Sequence, residues 1–127
     1  MFKLILLSVF VISGFAGEFF YNKGAKVEVF KLNESRTIRD KNIEYYITST
    51  GKKIGISNDM IVKCEKNIKC KSLLNSLGFI KVANITDSIF LVTVEYGQNI
   101  FELSSSLYEH KDIKFAHPNF IKVKTKR

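Results

Sequence analysis

Apolar and polar residues alternate over the first half of the chain in the manner expected of β-strands. Val27–Leu32 alternates with a period of two, and Ile43–Ser49 is rich in β-branched and aromatic residues. A tight turn at Thr50–Gly51 leads from the second strand into a third, which predicts a β-hairpin. The polar stretch Asn33–Asn42 predicts a loop. We therefore predict that residues 17–57 form a β-rich segment.

The pattern changes after Asn58, where helical spacings appear between short apolar stretches. Residues at positions i, i+3, i+4 and i+7 lie on one face of a helix. That spacing is found in Cys70, Leu73, Leu74 and Leu77, with Gly78 as the expected C-terminal cap. A second helix is predicted from Ile100, Leu103 and Leu107. The strands predicted around these helices are Met60–Val62, Phe79–Ile85, Ile89–Val94 and Ile113–Ala116.

The resulting order, β-α-β-β-α-β, is that of the ferredoxin-like fold. We therefore predict an α+β fold class, with a ferredoxin-like module at residues 59–117 inside a domain spanning 58–118. Both helices should cover one face of a four-stranded antiparallel sheet, which leaves the other face for docking. Pro118 lacks an N–H and is expected to end regular pairing. Residues 119–127 are accordingly predicted to form an extended basic tail that adds little to the core.

The first sixteen residues have the composition of a secretory signal peptide. Lys3 supplies a positive charge, Leu4–Val11 is apolar, and small residues precede a cleavage site between Ala16 and Gly17. The uncharged stretch is shorter than the roughly 20 residues of a spanning helix. We therefore predict export to the periplasm or the extracellular space, without stable membrane insertion after cleavage. An uncleaved N-terminal anchor is the alternative.

The chain is basic, with 20 Lys and Arg against 12 Asp and Glu and a net charge of +8. An exported protein of this charge is not expected to meet nucleic acid. Its expected partners are an acidic protein surface, an acidic cleft or the cell envelope. Lys122, Lys124, Lys126 and Arg127 concentrate positive charge in the final six residues, although a solvated tail would have the same composition.

The two cysteines, Cys64 and Cys70, enclose a loop of five residues. Export to an oxidising compartment favours a disulfide between them. A metal site is the alternative, but the chain has no second cysteine pair and no histidine nearby. Two reduced, packed thiols are a further alternative.

We find no residue pattern that predicts catalysis, and no cofactor is expected. His110 and His117 lack a partner constellation, and Ser104–Ser106 is a run on a helix surface rather than an activated nucleophile. Phosphate-binding loops, nucleophile elbows and zinc-protease motifs are all missing. RNA-binding modules of ferredoxin-like fold need several exposed aromatics on central strands, and here only Phe90 and Tyr96 qualify. We therefore predict that the chain is not an enzyme.

Four segments occur in an order that is typical of one known protein family: Asn58–Lys63, Leu73–Gly78, Asn99–His110 and Ile113–Phe120, the last of which reads IKFAHPNF. Together they resemble the N-terminal prosegment of secreted subtilisin-like serine proteases. The first segment is similar to the first strand of that family, the second to its first helix with the closing glycine, and the third to its second helix. The fourth is the best match, although His117 stands where the family usually has an acidic residue.

The resemblance implies an intramolecular chaperone and inhibitor that binds a subtilisin-like serine protease, in cis or in trans, as a monomer. Such prosegments place their C-terminal tail in the substrate cleft as an extended strand, a mode in which main-chain hydrogen bonds supply affinity. Asp87 would then cap a helix of the protease, although an ordinary turn residue is equally expected there. The implied protease-binding residues are Asp87, Phe115, Ala116, His117, Pro118, Asn119, Phe120, Lys126 and Arg127. A free-standing inhibitor, an excised prosegment and a truncated precursor all remain open.

The alternative function is a secreted, envelope-associated binding domain without enzymatic activity. It would use the hairpin region Val27–Ile56 and the basic tail. A small secreted enzyme is a third reading, but the sequence offers no clustered pair of titratable groups to support it.

Overall fold

The computed structural model describes residues 18–123, so the predicted signal peptide and the last four residues lie outside it. Strands make up 55% of the structure. The elements in chain order are β1 Glu18–Asn22, β2 Ala25–Ile38, β3 Lys41–Thr48, β4 Lys53–Cys64, α1 Cys70–Ser76, β5 Lys81–Asn84, β6 Ile89–Thr93, α2 Ile100–Tyr108 and β7 Ile113–Lys122.

All seven strands belong to one antiparallel sheet that is organised around β4. The order along one path is β1-β2-β3-β4-β6-β5, and β7 pairs with the other edge of β4. The first half of β4 pairs with β3 and its second half with β6, while β7 follows it along nearly its whole length. The sheet curls into a half-barrel, in which β1 approaches β7 and α2 packs against both strands.

Register shifts account for part of this curl. The pairing of β4 with β7 shifts between Ile56 and Met60, and the pairing of β2 with β3 shifts between Lys31 and Ser35. Such bulges bend a strand and increase its local twist. Pro118 lies opposite Met60 at the end of the first of these shifts, where a proline without an N–H is tolerated in a sheet.

The partly buried ion pair between Asp59 and Lys41 lies at the point where β4 changes partners. Asp59 is buried, accepts a hydrogen bond from Thr93 Oγ1 at 2.8 Å and is paired with the Lys41 ammonium group. Lys41 belongs to β3 and Thr93 to β6, so one carboxylate joins the two strands that share this edge of β4. A buried charge requires such partners to offset its desolvation.

The interior of the half-barrel is aromatic at its centre. Phe20 of β1 is almost completely buried, and its ring lies 5.3 Å from that of Phe120 and 6.4 Å from that of Phe101, measured between centroids. Tyr46 of β3 meets Phe101 edge to face at 5.1 Å. The same core continues under α1 through fully buried Leu74 and Met60. One continuous core therefore spans both halves of the chain.

The predicted ferredoxin-like α+β fold class is wrong, because the protein is mostly antiparallel β with two short helices. β4 runs through Asn58 without a break and combines the strands that were predicted on either side of that residue. The N-terminal strands consequently join the same sheet. The predicted loop Asn33–Asn42 is also wrong in large part, since β2 continues to Ile38. Local sequence patterns cannot show that β3 and β6 share one edge of β4.

Several local predictions are confirmed. The helices at Cys70–Ser76 and Ile100–Tyr108 are present, and the hairpin of β3 with β4 forms. Gly78 adopts the left-handed backbone expected after α1, with a φ of 102°. The N-cap residue of α1 is Lys69, which makes no side-chain capping bond. Asn99 caps α2, accepting from the backbone N–H groups of Phe101 and Glu102.

Candidate functional site

The residues predicted to enter a protease cleft lie within strand β7. Ala116 faces Val62 of β4, Pro118 faces Met60, and both are buried. Phe115 and Phe120 also pair with β4 and are half-buried, while Asn119 lies half-buried in the register shift between these pairs. Their backbone is thus paired with β4, or lies in the bulge between pairs, rather than forming a free tail. The last predicted contacts, Lys126 and Arg127, lie outside the described residues.

Both histidines contact neighbouring residues of the fold. The His117 ring stacks on Phe115 at 5.8 Å and lies 5.6 Å from the ring of Phe120, and its Nδ1 atom is 2.9 Å from the Pro118 carbonyl oxygen. His110 Nδ1 accepts a hydrogen bond of 3.1 Å from the backbone N–H of Asp112. Both side chains therefore make contacts with residues close to them in the sequence.

The predicted disulfide between Cys64 and Cys70 is present, with Cα atoms 5.6 Å apart. It joins the end of β4 to the start of α1 and so closes the intervening loop. Glu65 in this loop donates its backbone N–H to the Asp112 carbonyl at 2.9 Å. The loop is thereby held beside the start of β7.

A groove of 650 Å³ lies along this loop and is rich in lysine. We call it the lysine groove, after its residues Lys63, Lys66, Lys69, Lys71 and Lys114. Asp87, exposed in the turn between β5 and β6, and Glu65 also line it. Within residues 18–123 these lysines form no ion pair with a carboxylate. The groove therefore carries a net positive charge, and Asp87 lines it together with Lys114 of β7.

A second cavity, of 370 Å³, opens between β1, β3, β4 and the loop that precedes α2. We call it the Tyr46 cavity. Tyr46 lines it and is nine-tenths buried, and three glutamates, Glu18, Glu44 and Glu95, line it as well. Burial, assisted by the carboxylates of Glu44 and Glu18, raises the pKa of Tyr46 to about 12. Its hydroxyl is therefore protonated at neutral pH.

Sequence reasoning missed both features. Four of the groove lysines fall between positions 63 and 71, a local density that was visible beside the cysteines. Tyr46 gave no such signal, because its partners Glu18 and Glu95 are distant in the sequence and meet it only through the curl of the sheet. Between residues 18 and 123, no group of three or more His, Cys, Asp or Glu residues is arranged to hold a metal ion. No helix in that range is long and apolar enough to cross a membrane.

No family model matches the chain, no curated protein matches it, and no solved structure matches it.

Proposed function

We propose that this protein is a secreted, non-enzymatic binding domain that associates with the anionic surface of the cell envelope through the lysine groove. The observation that carries the proposal is the group of five lysines around one groove with no ion-pair partner among the described residues. Unpaired charges of one sign attract a surface of the opposite sign and are screened by salt. The disulfide supports this role because it keeps the lysine-bearing loop in one conformation before binding.

The residue type favours a diffuse anionic surface over a single acidic group. The groove contains lysine and no arginine. Arginine recognises individual carboxylates and phosphates through two parallel hydrogen bonds, whereas lysine acts as a mobile point charge on a flexible stem. Several such charges fit the phosphate head groups of an anionic lipid surface, where each lysine contributes about 1 kcal/mol.

The prosegment hypothesis has less support. It rested on a ferredoxin-like module with a free C-terminal strand, and that fold is absent. The segment assigned to the protease cleft is paired with β4 as far as Lys122. Inhibition of a subtilisin-like protease therefore stays a prediction, to be measured with a standard peptide substrate.

Vesicle sedimentation tests the envelope proposal. The purified protein should sediment with vesicles of phosphatidylglycerol and phosphatidylcholine, but not with vesicles of phosphatidylcholine alone. Binding should weaken as the salt concentration rises from 50 to 500 mM, because salt screens the charges. A variant with Lys66→Gln, Lys69→Gln and Lys71→Gln should bind about a hundredfold more weakly.

A matched control separates the groove from overall charge. Lys23, Lys52 and Lys81 are exposed and lie outside the groove. The triple variant Lys23→Gln, Lys52→Gln and Lys81→Gln has the same net charge as the groove variant and should retain most binding. Equal losses in the two variants would leave only nonspecific attraction, and no binding at 50 mM salt would refute the proposal.

A further inference from the structure

Most polar side chains around the Tyr46 cavity form hydrogen bonds with other residues of the fold. Asn58 Nδ2 donates to the Val94 carbonyl oxygen at 2.6 Å, and Ser57 Oγ donates to Asn58 Oδ1 at 3.1 Å. On the loop Glu95–Asn99, Gln98 Oε1 accepts from the Glu95 backbone N–H and Asn99 caps α2. The rim of the cavity is therefore ordered by its own hydrogen bonds.

The loop is also tied to the opposite wall of the cavity. Tyr96 accepts a hydrogen bond of 3.1 Å from the backbone N–H of Asn42 on β3. Gly97, at the tip of the loop, has a φ of 97°, a backbone conformation that residues with a Cβ atom rarely adopt. A rim held on both sides loses little conformational freedom when a ligand enters.

Three polar groups are left without a partner after this accounting. The Tyr46 hydroxyl makes no hydrogen bond to any described residue, although its side chain is nine-tenths buried. Glu18 and Glu95 form no ion pair within residues 18–123. Glu44 differs, because its carboxylate is 3.1 Å from the Lys31 ammonium group at the surface. Glu18 and Glu95 are exposed, and among the described residues only Ser105 Oγ is a fully buried side-chain atom without a partner, so the Tyr46 oxygen is reached from the cavity, where a ligand or water completes its bonding.

The charge and the aromatic content of the cavity define the ligand. Neither lysine nor arginine lines the cavity, although the chain as a whole is strongly basic. The rings of Tyr46, Tyr96 and Phe101 also contribute to the wall. Carboxylates, a phenol oxygen and aromatic faces together attract a cation that carries N–H donors.

We propose that the Tyr46 cavity binds an alkylammonium group. The Tyr46 oxygen accepts one N–H of the ammonium, and the carboxylates of Glu18 and Glu95 neutralise its charge at the rim. The methylene chain next to the nitrogen packs against Phe101. A cavity of 370 Å³ accommodates this group together with a short alkyl chain. The natural ligand is either a free polyamine or the side chain of a lysine in a peptide, since both present the same chemistry.

Calorimetric titration of the purified protein tests the proposal. The probe is 1,5-diaminopentane, and 1,5-pentanediol serves as the uncharged control of equal length. The diamine should bind and the diol should not. A second titration with Nα-acetyl-lysine amide distinguishes the sources. Binding of this compound as tight as that of the diamine assigns a peptide lysine, and binding of the diamine alone assigns a polyamine.

Variants identify the atoms that bind. Tyr46→Phe removes an unpartnered hydroxyl and keeps the ring, so it should weaken diamine binding about tenfold without lowering the thermal midpoint. Glu18→Gln combined with Glu95→Gln alters exposed residues only and should weaken binding at least about tenfold. Glu109→Gln, an exposed carboxylate outside the cavity, should leave affinity unchanged.

The proposal is overturned if neither amine binds, if the diol binds as tightly as the diamine, or if Glu109→Gln weakens binding as much as the cavity variants. Should Tyr46→Phe lower the thermal midpoint, the Glu18 and Glu95 variant decides the question alone. The outcome is independent of vesicle binding, because the lysine groove shares no residue with the cavity.

Discussion

Phe20 and Phe120 lie with ring centroids 5.3 Å apart and thereby connect the first strand of the sheet to the last. Phe20 belongs to β1 and Phe120 to β7, two strands that are not hydrogen-bonded to each other. Their contact closes the opening of the half-barrel beside α2. It also explains why Phe120 packs against the core rather than lying in a free tail.

Replacing Phe20 by alanine should destabilise the whole domain. The side chain is 1% exposed, and its removal leaves a cavity next to Phe101 and Phe120. The expected loss is about 3–5 kcal/mol in the free energy of unfolding, measured by guanidinium denaturation. Phe19→Ala is the matched control, because that ring is only half-buried and should cost clearly less. Equal losses at the two positions would contradict the proposed closure.

Removing residues 119–127 should unfold or strongly destabilise the protein. Three residues in this range, Phe120, Ile121 and Lys122, pair with the first half of β4. Removing only residues 124–127 leaves every described pair intact and should change the thermal midpoint little. Comparing the two truncations by circular dichroism checks this. A fully stable 1–118 chain would show that the end of β7 adds little to the core, which is what the sequence pattern alone predicted.

The Asp59 carboxylate should add to the stability of the junction where β3 and β6 meet β4. Asp59→Asn keeps the size of the side chain but removes the charge that holds Lys41 and Thr93. The expected loss is about 1.5–3 kcal/mol, the range for hydrogen bonds to charged groups. A double-mutant cycle with Lys41→Met isolates the ion pair. Additive effects of the two substitutions would mean that the pair does not couple the strands.

Reduction of the Cys64–Cys70 disulfide should lower stability modestly. The bond closes a loop of five residues, for which constraint of the unfolded chain is worth about 2 kcal/mol. Thermal unfolding with and without reductant measures the difference. Cys64→Ser with Cys70→Ser should reproduce the reduced protein, and its vesicle binding should also weaken, because the lysine-bearing loop is then free to move.

Tyr46 should make stability fall in strong alkali. Its pKa is raised to about 12 in the folded protein, whereas an unfolded tyrosine ionises near pH 10, at about its reference value. Below pH 10 both states keep the proton. Between about pH 10 and 12 only the unfolded state loses it, so stability decreases as the pH rises.

Ultraviolet titration of phenolate, together with chemical denaturation at each pH, measures this effect. Tyr46→Phe should remove an absorbance step near pH 12 and flatten the decrease in stability. An unchanged titration curve in Tyr46→Phe would show that Tyr46 contributes no absorbance step near pH 12.

Much of the local structure was determined by short stretches of sequence. The helical spacing of Cys70, Leu73 and Leu74 predicts α1, and Gly78 supplies the left-handed residue that ends it. Because Cys64 and Cys70 are only six residues apart, they come close enough to form a disulfide once α1 has formed. These features depend on residues within one or two turns of chain, and so they can be recognised without knowledge of the fold.

Strand pairing was decided only by the tertiary structure. Ser57 and Asn58 interrupt the apolar pattern and predict a boundary, yet β4 continues through them because Asn58 bonds to Val94, the residue directly after β6. Pro118 predicts an end of pairing, yet β7 continues because the proline lies at a register shift. The Tyr46 cavity likewise joins Glu18 to Glu95, which are far apart in the chain. Hydrogen bonds between distant strands satisfy backbone groups that no local pattern specifies, and these bonds set the curl that forms the core and the Tyr46 cavity.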